Sequence, residues 1–107
     1  MLERRADNRA APGGQARDAA EALAICALEF LAADHDRLAH FLAMSGIEPG
    51  SIRDAAREPR FLVGVLDHVA GDEPLLLLLA AENRIDPGAV IRARDTLAGD
   101  RKEREVP

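Results

Sequence analysis

Residues 21–58 align with residues 59–96 at an offset of 38, and this internal match constrains the fold more than any other feature of the chain. Nine of the 38 positions are identical, against about 4 expected by chance from the residue frequencies. The identities fall on helix punctuation: Asp34 matches Asp72, and Ile47-Glu48-Pro49-Gly50 matches Ile85-Asp86-Pro87-Gly88. They also fall on apolar positions, such as Leu28 with Leu66 and Leu38 with Leu76. Two units are too few for an open solenoid, which needs at least about three repeats to bury its faces. The expected architecture is therefore all-α: a compact bundle of about six short helices, formed from two diverged three-helix repeats of 38 residues.

Periodicity and capping residues place those helices. The spacing of Leu23, Ala27, Phe30 and Leu31 predicts a first helix from Asp18 to Ala33. Asp34 is suited to cap a second, which carries Leu38, Phe41 and Leu42 on one face and stops at Gly46. Pro49 opens a short third helix to Arg57, and Pro59 precedes a fourth with Phe61, Leu62, Val65, Leu66 and Val69 inward, ending at Gly71. Asp72 and Pro74 open a fifth through Asn83, and Asp86 and Pro87 a sixth through Ala98. The ten Val and Ile residues never alternate with polar residues over four or more positions, so no strand is predicted.

Five successive leucines, Leu75 to Leu79, cover every side of a helix at about 100° per residue. Two outcomes are open: the fifth helix is central, or its uncovered leucines form a homodimer contact. Gly64 lies inside a strong helix and costs up to about 1 kcal/mol there relative to Ala, which predicts a close helix crossing that Gly64→Leu would overpack.

The ends read as tails. Residues 1–17 are expected to be a disordered Arg-rich arm, residues 18–99 the helical domain, and residues 100–107 a charged tail beyond a stop at Gly99. The overall charge of −5 divides unevenly: residues 1–17 carry +2, residues 18–98 carry −7, and the last nine balance. An acidic body repels phosphate, so nucleic-acid binding would fall to Arg4, Arg5, Arg9 and Arg17. A second cluster, Arg84, Arg92 and Arg94, is expected to be neutralised by Glu82, Asp86 and Asp95. No apolar run approaches the roughly 20 residues of a membrane span, and no secretory leader is visible, so a cytoplasmic location is expected. Cys26 is the single cysteine, which excludes an intrachain disulfide.

Catalytic chemistry finds few side chains to use. The candidate nucleophiles are Ser45, Ser51, Thr96 and Cys26. Ser45 precedes Gly46 at a helix end rather than on a strand-turn-helix elbow, Ser51 reads as a first-turn residue, and Cys26 reads as a small buried hydrophobe. Gly13-Gly14 lacks the Lys-Ser/Thr that a phosphate loop requires. His35 and His40 are five apart, about 140° around a helix, and cannot chelate together; His68 is expected on the solvent side beside Asp67. No catalytic, metal or cofactor-binding residue is predicted, and the chain is expected not to be an enzyme.

Gly46-Ile47-Glu48-Pro49 with Ile52-Arg53, then Glu58-Pro59-Arg60-Phe61-Leu62, Val65-Leu66-Asp67, Asp72-Glu73-Pro74-Leu75-Leu76, and Asp86-Pro87 with Ala93-Arg94, follow one another in an order that resembles a bacterial family of domains of unknown function, number 3572. The resemblance spans about Ala19 to Gly99 and implies a small all-helical protein, with no activity, ligand or catalytic residue to carry over. The function expected is that of a protein-protein interaction or adaptor module working by helix-face contacts with itself or another protein. The alternatives are a weak nucleic-acid-associated regulator using the Arg arm and a small-ligand site between the two units.

Overall fold

The computed structural model describes the backbone of residues 12–105 and the side chains of residues 14–99. Among these residues six α-helices follow in order: α1 (Pro12–Ala32), α2 (His35–Ser45), α3 (Ile52–Ala55) after a 3-10 turn at Pro49–Ser51, α4 (Pro59–Ala70), α5 (Glu73–Asn83) and α6 (Pro87–Glu105). No strand occurs among the described residues. The chain is an all-α bundle.

The capping residues act as their chemistry dictates. Asp34 Oδ1 accepts hydrogen bonds from the amides of Asp36 and Arg37, each at 3.0 Å, and satisfies two orphan donors of α2. The Arg37 amide, before other causes, holds the Asp34 carboxyl below the usual carboxylate range. Asp72 does the same for α5 by accepting from the Leu75 amide. Gly46 ends α2 in the left-handed region, at φ 76°. Its partner at the 38-residue offset is Arg84, which ends α5 in the same region at φ 56°. The third elements differ: one 3-10 turn and one α-turn stand where the second unit has a 19-residue helix.

Three helices make the core. On α1, Ala20, Ala24 and Ala27 are buried at i, i+4 and i+7, and on α6 Val90, Ala93 and Leu97 are buried at i, i+3 and i+7. Small side chains on these faces let α1 pack more extensively against α6 than any other pair of helices packs. Both close on α4, where Phe61, Leu62, Val63, Val65, Leu66 and Val69 are buried. Helix α2 is tied on at its start by Arg37. The Arg37 guanidinium donates to the Phe30 carbonyl at 3.0 Å, lies 4.1 Å from the centre of the Phe30 ring, and so satisfies a carbonyl in the last turn of α1.

Four sequence-based expectations are corrected. Helix α1 begins at Pro12, not Asp18, so the last residues assigned to the disordered arm are helical; the rest of that assignment, residues 1–11, lies outside the described residues. Gly99 does not stop α6, whose backbone stays helical to Glu105 and so includes most of the expected tail; a glycine without a left-handed turn is only a weak point in a helix. The central helix is α4 rather than α5, because α5 meets mainly α4 and a short stretch of α6. Gly64 marks no crossing: it is exposed, and an added Cβ would meet nothing within 4 Å. The expected substitution effect therefore reverses. Gly64→Ala should raise stability by up to about 1 kcal/mol through helix propensity, seen as a higher thermal midpoint. A lower midpoint would restore the crossing.

Candidate interaction face

With one main neighbour, α5 cannot cover a leucine on every side. Leu76 and Leu79 are buried and Leu75 is half-buried, whereas Leu77 is 50% and Leu78 40% exposed. Pro74 and Ala81 are also exposed, and the four residues stand at i, i+3, i+4 and i+7, one continuous apolar stripe. Among the described residues the large exposed hydrophobics are Leu77, Leu78 and Met44, the last 70% exposed on α2. Met44 and Pro74 line one hollow between the end of α2 and the turn joining α4 to α5, which places Met44 near the Pro74 end of the stripe.

His40 and His68 line the same hollow. The His68 ring packs edge-on against Phe41 at 5.2 Å between centroids and lies 5.4 Å from His40. Its Nε2 is buried without a hydrogen-bond partner. This corrects the expected solvent-side position: α2 lies over α4 and covers the ring. Burial, then the nearby His40, lowers the His68 pKa, and Asp72 opposes the shift. Asp67 and Glu73 complete the charged groups around the hollow. A histidine pKa lower in the folded than in the unfolded chain means that the unfolded state takes up the proton first. The His68 contribution to stability is thus whole above the ordinary histidine pKa of about 6.5 and declines as pH falls below it. His68→Phe should flatten the fall in thermal midpoint between about pH 7 and pH 5, and an unaltered slope would count against a desolvated ring.

A second groove, of about 470 Å³, lies along an adjacent face of α2. Phe41, Ile47, Ala55 and Phe61 give it apolar walls, and Asp54, Glu58 and Arg60 line it with charge. Phe41 and Phe61 meet edge to face at 5.8 Å, and exposed Gly64 leaves the groove open beside them.

The side chains weighed for catalysis are dispersed. Ser45 and Ser51 line this groove, without a histidine among its lining residues. The Ser45 hydroxyl donates to the Leu42 carbonyl and accepts from the Ile47 amide, each at 3.3 Å, which caps α2. Thr96 borders a shallow hollow between α1 and α6. Cys26 is half-buried rather than buried, and its thiol faces the Asn83 side-chain oxygen at 3.5 Å. Burial, then Glu29, pushes the Cys26 pKa up, which disfavours the thiolate. His35 is exposed in the first turn of α2, and no group of three or more His, Cys, Asp or Glu among the described residues is arranged to hold a metal.

Arg92 and Arg94 of α6 are engaged. Arg92 pairs with Asp86 at 3.5 Å, and Arg94 reaches Asp95 at 3.2 Å and Asp67 of α4 at 3.5 Å. Asp86 and Asp95 were expected as partners from the sequence; Asp67 is added by the packing of α4 on α6. Among the described residues no helix is long and apolar enough to cross a membrane.

A family model described as a protein of unknown function, DUF3572, matches residues 17–100, from the first core-facing turns of α1 into α6. The chain belongs to the DUF3572 family. No curated protein and no solved structure matches it. Within this DUF3572 domain, sequence reasoning named the leucine run but not its exposed phase. Pro74, Leu77, Leu78 and Ala81 form one helical stripe, and Leu75, Leu76 and Leu79 form another, so spacing could not choose between them. The His68–Phe41 contact had no sequence signal.

Proposed function

We propose that this DUF3572 protein is a non-catalytic interaction or adaptor module of the bacterial cytoplasm, and that its contact face is the stripe Pro74, Leu77, Leu78 and Ala81 extended by Met44. The observation that carries this reading is the exposure of Leu77 and Leu78 next to each other on a side of α5 that no described helix covers. Contiguous exposed apolar surface costs solubility and is retained where a partner covers it. The raised Cys26 pKa and the capping role of the Ser45 hydroxyl support a non-catalytic role. An origin by duplication is supported by the equivalent caps Asp34 and Asp72 and the equivalent left-handed ends Gly46 and Arg84.

A photoactivatable residue placed at position 77 in cells should give a discrete heavier adduct, while the same residue at exposed position 29 of α1 should give none. Absence of an adduct from position 77 would refute the reading. The groove beside Phe41 and Phe61 favours a second reading as a small-ligand site, because its volume lies in the range of about 300–1,000 Å³ usual for such sites. Ligand-observed NMR with an apolar fragment set would test it: a hit abolished by Gly64→Leu would support the groove, and no hit would dismiss it. Nucleic-acid binding receives less support, since Arg92 and Arg94 already face carboxylates. Arg4, Arg5 and Arg9 of the arm lie outside the described residues.

A further inference from the structure

The face proposed above has a distribution of charge that selects its partner. Glu73 and Arg84 stand at the two ends of α5, eleven residues apart, which is three helical turns to within about 20°. Glu73 and the backbone of Arg84, whose amide still bonds the Ala80 carbonyl, therefore lie along the same edge of the apolar stripe. Glu82 is two residues short of Arg84, about 200° around the helix from it, and lies on the other edge. A second α5 laid antiparallel on the first, about a two-fold axis passing between Leu77 and Leu78, brings Pro74 opposite Ala81 and sets each leucine beside its own counterpart, Leu77 by Leu77 and Leu78 by Leu78. The same operation keeps each edge on its own side. Glu73 of one copy then faces Arg84 of the other, twice, while the two Glu82 residues are carried to the far edge away from Glu73.

Resting on the contact-face reading, we infer that the partner of this stripe is a second copy of the same chain, joined through an antiparallel, two-fold α5–α5 contact with reciprocal Glu73–Arg84 pairing. A symmetric contact needs a patch complementary to itself, and an acidic start with a basic end along one edge meets that condition. Opposed helix directions also set the positive start of one helix beside the negative end of the other. The stripe comprises five side chains, Met44 included, and falls below the roughly 800 Å² per partner of a standard interface. The dimer is accordingly weak and dependent on concentration.

Sedimentation equilibrium of the full chain, from low micromolar to near-millimolar concentration, tests the inference. The wild-type mass should rise toward that of a dimer, and the dissociation constant should weaken at higher salt. Leu78→Glu should weaken association at least tenfold with an unchanged thermal midpoint, because the residue is exposed in the single chain. Glu73→Arg and Arg84→Glu should each weaken it, and the double variant should recover most of the loss. A wild-type chain that stays monomeric, an indifferent Leu78→Glu, or a double variant no better than the singles would overturn the antiparallel dimer. If the chain is monomeric while position 77 still crosslinks to a different protein, the contact face stands and the self-pairing falls. No crosslink at all removes both.

Discussion

Leu66→Ala is expected to destabilise the protein by about 2–5 kcal/mol, whereas Leu77→Ala should change stability by no more than about 0.5 kcal/mol. Leu66 is 0% exposed on α4, the helix that α1 and α6 enclose, so the missing methyl groups leave a cavity that these packed elements cannot readily fill. A chain of this size has a total stability of about 5–15 kcal/mol, so a loss of about 2–5 kcal/mol is a large fraction of it. The thermal midpoint of Leu66→Ala should fall by about 10 °C or more in calorimetry. Equal losses for the two substitutions would return α5 to the centre of the fold.

Phe41→Ala should cost about 3–5 kcal/mol, and the loss should be local in character. Phe41 is the only buried residue of α2, and it touches Phe61 on one side and His68 on the other. Leu38 and Leu42 only flank the core, and the Arg37 clasp holds the first turn rather than the last. Removing the ring should let α2 open from its Ser45 end while α1, α4 and α6 stay packed. Hydrogen exchange is the measurement: amides of residues 41–46 should lose protection well before those of residues 62–69. Uniform loss across both segments would show α2 to be part of one cooperative unit.

The two substitutions mark what was legible in the amino-acid pattern and what was not. The inward set Phe61, Leu62, Val65, Leu66 and Val69 could be read because its spacing matches one helical face, and the structure buries all five. Asp34, Asp72, Pro59 and Gly46 could be read because capping is chemistry within a few residues of the chain. Gly64 was misread because an energetic cost to a helix says that a glycine is unusual, not why; the neighbour that would explain it is a matter of tertiary packing. His68 was misplaced for the same reason, since α2 is what covers it.

By itself, then, the sequence determined the helical class, the order of the helices and the residues that begin and end most of them, because propensity, capping and amphipathic spacing act over a few residues. Only the tertiary structure decided which helix is central and which leucines face water. A run such as Leu75 to Leu79 is equally apolar in every direction, so its buried side is chosen by the helices that pack against it, chiefly α4, and its exposed side, the proposed contact face, is what that packing leaves uncovered.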